Sequence, residues 1–285
     1  MSGNIFEEIA HCCKSQTPAV LAIVTNSEGS APQKPGAKML IRPDGSIAGT
    51  VGGGSVEADV IKAALKILEQ GGAPRNMHFE LTRRNGFMCG GAMSIYIEPL
   101  LPAPRLVIAG AGHVGKALAT LSSFCGFRTA VIDDRSEYAN REHFPTADTI
   151  VVDDFIPGIQ KISVDTNTSF VIATRGHEHD YEVLEEALRT PSPFIGVVGS
   201  RKKRNGFIES LLEAGFEPED IIRMHLPVGI SIGSVTPEEI AVSIMAQIVE
   251  KRRKDRTRAA SCPASSDFFN VAGGYARIPL ATIGE

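Results

Sequence analysis

Glycines at 110, 112 and 115 follow a short apolar run, Leu106 to Ala109, and precede an alanine- and leucine-rich helical pattern. This is G-x-G-x-x-G in the setting that gives it meaning: strand, tight turn, helix start. Gly110 permits the turn, Gly112 lets a pyrophosphate approach the backbone, and Gly115 lets helix and strand pack closely. The helix start, which carries His113, offers N–H groups and a positive dipole end to an anion. A second strand, Arg128 to Ile132, ends in Asp133, where the fingerprint expects an acid for a ribose hydroxyl. Arg135, two residues on, leaves room for a 2′-phosphate. A nucleotide or similar phosphate-bearing ligand is expected here, with NAD(P) as a candidate cofactor.

Three further clusters could do chemistry. Gly52, Gly53 and Gly54 open a helix that runs to about Gln70, and such a loop can cradle an anion. It can equally be a structural turn, because Glu57 is placed to cap the helix and, with Asp59, opposes a phosphate. Cys89 stands in a glycine-rich loop beside Arg83 and Arg84, and neighbouring cations favour a thiolate. The competing reading is an inert, buried cysteine. Ser200, Arg201, Lys202 and Lys203 start another helix, where cations are unfavourable unless an anion joins them. His177, His179 and Asp180 have poor spacing for a metal; Asp180 is expected to cap the next helix, and no metal site is assigned.

The elements that must position these residues change character along the chain. Residues 4–14 have helical spacing of apolar side chains, and 19–25 reads as a buried strand. A hairpin is expected at 38–42 and 46–51 around Pro43-Asp44-Gly45, then the helix to Gln70, then strands at 75–81 and 92–100. Leu101-Pro102-Ala103-Pro104 reads as a linker. Beyond it, apolar strands at 106–109, 128–132, 149–152, 170–174 and 194–198 alternate with helices at 114–125, 180–189 and 202–214. That alternation predicts a parallel sheet covered on both faces. The last helix opens with Thr236, Pro237 and Glu239 and ends in the basic run 251–254. The fold class is α/β: a C-terminal Rossmann-type parallel-sheet domain preceded by a smaller mixed α+β domain. The expected boundaries are 1–101, 105–254 and a mobile tail at 255–285.

The chain has 285 residues, 43% hydrophobic and 22% charged, with a net charge of −4. This is the composition of an ordinary globular protein and gives no reason to expect nucleic acid. No apolar stretch approaches a membrane span, and the acidic start lacks the basic character of a secretory signal. The five cysteines have no framework spacing, so reduced thiols and a cytoplasmic location are expected.

The ordered set of unusual stretches resembles the XdhC/CoxI family of accessory proteins for molybdenum hydroxylases, over about residues 5 to 250. It comprises Pro35-Gly36-Ala37-Lys38-Met39, Gly49 to Gly54 with Glu57, and Cys89-Gly90-Gly91 before Ile97-Glu98-Pro99. It continues with Gly110 to Gly115, Asp133-Asp134-Arg135, Thr174 to Asp180, Gly199 to Lys203 and Thr236 to Ala241. The resemblance implies transient binding of molybdenum cofactor, help with its sulfuration, and delivery to an apo hydroxylase such as xanthine dehydrogenase. It implies a chaperone more than a catalyst, with a cysteine desulfurase and a second copy of the chain as further partners. Two other classes compete. An NAD(P)-dependent oxidoreductase would explain Gly110–Gly115 and Asp133, but leaves the first domain unexplained. A pure scaffold would bind a partner enzyme and no small molecule.

Overall fold

The computed structural model describes residues 4–70, 72–81 and 90–260. In its first part, α1 (Ile5–Ser15), β1 (Ala19–Gly29), β2 (Lys38–Ile41), β3 (Ile47–Gly49), α2 (Gly54–Gln70), β4 (Arg75–Glu80) and β5 (Gly91–Leu100) follow in order. The strands form an antiparallel sheet in the order β3-β2-β1-β5-β4. Alternation along the strands sorts the core. Val20, Ala22 and Val24 face the Val56, Val60, Ala64 and Ile67 stripe of α2, whereas Ala19 and Leu40 face Cys12 and Ile9 of α1. The expected hairpin turns at Gly45 (φ +79°), and the Asp44 carboxylate accepts the Ser46 N–H at 2.9 Å.

The second part runs β6 (Arg105–Ala109), α3 (His113–Phe124), β7 (Arg128–Asp133), β8 (Thr149–Val152), α4 (Phe155–Gln160), β9 (Thr168–Ile172), α5 (His177–Leu188) and β10 (Phe194–Val197). It continues with α6 (Arg201–Glu213), α7 (Pro218–Ile221), β11 (Met224–His225) and α8 (Pro237–Ala260). Every strand pair is parallel, in the order β8-β7-β6-β9-β10-β11. Counted from β6, this is the doubly wound 3-2-1-4-5-6 order. α4, α5 and α6 cover one face, packed on Val107, Ile132 and Ile172; α3 and α8 cover the other, packed on Leu106, Ile108 and Val131. The expected α/β class, with its parallel sheet after a smaller mixed domain, is the fold observed.

Three differences from the sequence expectation have physical causes. α4, α7 and β11 span 6, 4 and 2 residues, too few to display a period. α5 starts at His177, not near 180, so Asp180 lies inside the first turn and Gly176 takes the cap position. α8 continues to Ala260, past the basic run expected to end it. Arg, Lys and Ala are good helix formers, and cations are favoured at a helix C-terminus. Its start is the capping box expected: Glu239 accepts from Thr236 N–H at 3.0 Å, and Thr236 Oγ1 accepts from Glu239 N–H at 3.3 Å.

The 101–104 segment is held from both sides. Ala103 N–H donates to Gln16 Oε1 at 2.9 Å, and Asn167 Nδ2 donates to Pro102 O at 3.1 Å. Around it lies a cleft of about 840 Å³, lined by Ile67 and Leu68 of α2, by Gly72 just after it, and by Phe127 and Asn167 of the second part. Both α2 and α3 therefore run toward this joint, with their N-termini pointing away from it.

Candidate functional site

β6 and β9 are neighbours whose connections leave in opposite directions, so the crevice at their C-terminal ends is the sheet's switch point. The glycines of the turn after β6 have separable roles. A Cβ on Gly110, at φ +119°, would sit 2.1 Å from Ala173 O, and one on Gly115 would sit 2.0 Å from Gly110 O. The fold itself demands those two. A Cβ on Gly112 would meet nothing within 4 Å. Gly112 is the N-cap of α3, has no side-chain cap, and leaves the space where a Cβ would stand open. That is the geometry an approaching phosphate needs. His113, the first residue of α3, is exposed beside it.

Asp133 closes the back of the crevice at 1% exposure. Its Oδ2 accepts from Ala111 N–H at 2.7 Å and Arg135 Nη2 at 2.9 Å, and its Oδ1 from Arg135 Nε at 2.8 Å and Arg135 N–H at 3.1 Å. Burial alone would raise this carboxyl, but the Arg135 guanidinium and the Ala111 N–H outweigh it and hold it below the usual value. Arg135 in turn lies over the Tyr138 ring at 4.1 Å. Asp134 takes a different course: its Oδ2 accepts from Arg175 Nη2 at 2.5 Å, while its buried Oδ1 has no hydrogen-bond partner.

On the other side of β6, Asp180 accepts from Thr174 N–H at 3.2 Å and Thr174 Oγ1 at 2.5 Å. Its second oxygen pairs with Lys203, and both side chains are 8% exposed. Lys203 also lies 5.0 Å from the Phe207 ring. Lys203 thus neutralises an internal carboxylate. Ser200 caps α6, accepting from Lys203 N–H at 3.4 Å, and Arg201 is exposed. In open α/β sheets ligands sit beyond the strand C-terminal ends, which selects this group of loops, and the stretches quoted above hold Asp134, Arg175, Asp180 and Lys203, but neither signal says which of them pair. Their roles depend on which way each side chain turns.

In the first domain Gly52, Gly53 and Gly54 have φ of +133°, +75° and +62°. A side chain at Gly52 would meet Pro32 at 2.7 Å, whereas Gly53 and Gly54 face open space. Glu57 Oε2 accepts from Gly53 N–H at 3.0 Å and from Thr50 Oγ1 at 2.7 Å, so the carboxylate does cap its own helix. α2, at 17 residues, is about 25 Å long. Its start therefore lies about a helix length from the joint. The structure gathers Gly110, Gly112, His113, Gly115, Asp133, Arg135, Ser200 and Arg201 at one sheet edge. The hydrogen bonds of Gly52 and Gly53 stay within the first domain, to Thr50 and Glu57. Cys89, Arg83 and Arg84, the His177 side chain and residues 261–285 lie outside the described residues. Among the described residues, no three of His, Cys, Asp and Glu are grouped to hold a metal ion, and no helix is long and apolar enough to cross a membrane.

For a dinucleotide, the phosphate cradle at Gly112 fits, but the expected ribose acid fits only if Asp133 gives up internal bonds. The fold defines a Rossmann-type protein, preceded by an antiparallel α+β domain. The chain belongs to the XdhC and CoxI family: the model of that name matches residues 12–80, and the XdhC Rossmann domain matches 106–248. It is 38% identical over 252 residues to the Escherichia coli protein YqeB, covering 87% of this chain and 46% of that protein. The chain thus spans about half the length of that relative. It is 25% identical over 281 residues to the Escherichia coli molybdenum cofactor insertion chaperone PaoD, covering 87% of each chain. A crystal structure described as a xanthine dehydrogenase from Bacillus halodurans is 25% identical, with a TM-score of 0.50, over 93% of this chain and 97% of that one.

Proposed function

We propose that this chain is a maturation factor that binds molybdenum cofactor, assists its sulfuration, and inserts it into a molybdenum hydroxylase such as xanthine dehydrogenase. The observation that carries this is the Gly112 cradle, open to a phosphate while the neighbouring acid Asp133 is committed internally. Such a crevice suits a phosphate ester better than it suits a ribose awaiting hydride transfer. The relation to a chaperone of molybdenum cofactor insertion over most of both chains supports the same reading. In it, the first-turn N–H groups at His113, with Arg135 and Arg201 nearby, hold the cofactor's phosphate. Cys89 and the Gly52–Gly54 loop shield its dithiolene end, and Ser200 fixes the α6 start. The sulfur comes from a cysteine desulfurase, a second copy of the chain completes the site, and the work is done in the cytoplasm.

The test mixes purified chain with molybdenum cofactor, separates them by gel filtration, and adds the retained cofactor to apo hydroxylase. Co-elution and recovered hydroxylase activity are expected, with less retention by Cys89→Ser. A wild-type chain that retains no cofactor overturns the proposal. The alternative, an NAD(P)-dependent oxidoreductase, needs Asp133 to exchange its Arg135 and Ala111 bonds for a ribose hydroxyl. Substrate-dependent change in nicotinamide absorbance would establish it, whereas NAD(P) binding without turnover would leave the nucleotide a regulatory ligand.

A further inference from the structure

β9, β6 and β7 lie side by side, so the residues after β9 and β7 flank the turn after β6. Gly110 N–H donates to Ile132 O at 2.9 Å and Ala173 N–H donates to Ala109 O at 2.8 Å, which ties that turn to both neighbours. Arg175 and Asp134 stand just beyond these contacts, and their ion pair at 2.5 Å bridges the two strands that flank the glycine turn. Asp134 is lopsided within the bridge. Arg175 takes Oδ2, while Oδ1 is enclosed without a hydrogen-bond partner, and Arg135 Nε, 3.9 Å from it, is already bonded to Asp133. A carboxylate oxygen removed from water and left without a donor is unfavourable until a donor reaches it. Space for a ligand is close by: Gly112 has nothing above it within 4 Å, and Gly176, next to Arg175, has only the edge of His179 at 3.8 Å.

We propose that Asp134, and not Asp133, reads the hydrogen-bond donors of the ligand in this crevice, and that Arg175 passes from Asp134 to the ligand's phosphate as it binds. The inference deepens the proposed function and rests on it for the ligand's identity. The ligand class is a phosphate ester that also carries adjacent donors, either the N–H edge of a pterin or the diol of a ribose. Arg175 keeps an anionic partner, while Asp134 exchanges its cation for neutral donors. Arg175 loses one carboxylate oxygen and gains a phosphate oxygen, and Asp134 then presents two oxygens to two donors. Asp133 and Arg135 remain paired and hold the turn.

Full-length wild type, Asp134→Asn and Arg175→Gln are each titrated with ADP-ribose and, separately, tested for retention of molybdenum cofactor. Thermal unfolding is recorded alongside. Because the pair is partly solvated, both variants should unfold close to wild type. Binding should weaken by about tenfold in each, with the double variant losing less than the product of the two. Weaker binding of molybdenum cofactor supports the pterin as ligand. Weaker binding of ADP-ribose alone supports the inference but moves the cofactor away from this crevice. Unchanged binding of both ligands overturns the inference and leaves the proposed function standing. A wild type that binds neither overturns both.

Discussion

Asp133 and Asp134 follow one another at the end of β7, and the backbone turns them to different work. Asp133 points into the crevice wall and is bonded by Ala111 and Arg135; Asp134 points across the mouth to Arg175. Asp133→Asn removes the charge that balances Arg135 in a nearly closed site. It should lower unfolding stability by about 2 kcal/mol, less than a fully buried pair would lose because Arg135 keeps some contact with water. Denaturant midpoints at neutral pH check this. The Asp133 carboxyl is held below its ordinary 3.8, so its contribution is intact above that value and fades as pH falls below it toward the folded value. His225 behaves differently. Its ring is stacked on Phe194 at 4.4 Å, Gln247 lies 3.5 Å from Nδ1, and Nε2 is buried without a partner. Burial, then the charge of Lys251, pushes its pKa below 6.5. The unfolded chain therefore takes up the proton first, and stability should decline as pH falls from about 6.5 toward the lowered folded value. Denaturation at pH 7 and pH 5 should show a smaller difference in His225→Phe than in wild type.

At the scale of elements, the glycine turn separates what the fold needs from what a ligand needs. Gly110→Ala drives a Cβ against Ala173 O in a left-handed conformation, and should cost about 3 kcal/mol or more. Gly112→Ala should cost only about 1 kcal/mol, the loss of a preferred N-cap residue, because its Cβ points into open space. Unfolding of the two variants should therefore diverge, and only Gly112→Ala should remain folded enough to report on binding. This division was legible in the sequence, because strand, glycine spacing and helix period are local signals. So were most strands of the parallel sheet, whose buried runs at 106–109, 129–133 and 194–197 are continuous. The start of α5 was not. Asp180 looks like a cap, yet its carboxylate turns to Thr174 and to Lys203, which is 23 residues further on. Pairings between loops that share only a sheet edge leave no periodic trace.

At the scale of the whole molecule, the sequence offers two glycine-rich helix starts, and a cofactor held between them would make them walls of one site. The structure sets α2 and α3 with their C-termini toward the 101–104 joint and their N-termini away from it. The direction in which a four-residue linker sends the second domain depends on contacts such as Gln16–Ala103 and Asn167–Pro102, which no motif announces. If both walls hold one cofactor, they come either from one chain or from two copies. Mixing separates these routes. If the proposed function holds, Cys89→Ser damages the first-domain wall and Gly112→Val the Rossmann wall. In randomly formed dimers, half contain one chain of each type, and one of the two sites in each such dimer pairs two intact walls. Co-refolded variants should then recover roughly one quarter of wild-type cofactor retention. A site closed within a single chain recovers none, because every chain carries one damaged wall. Retention at roughly one quarter of wild type is the expected result. Loss as complete as in either variant alone, with both chains folded, would place both walls in the same chain.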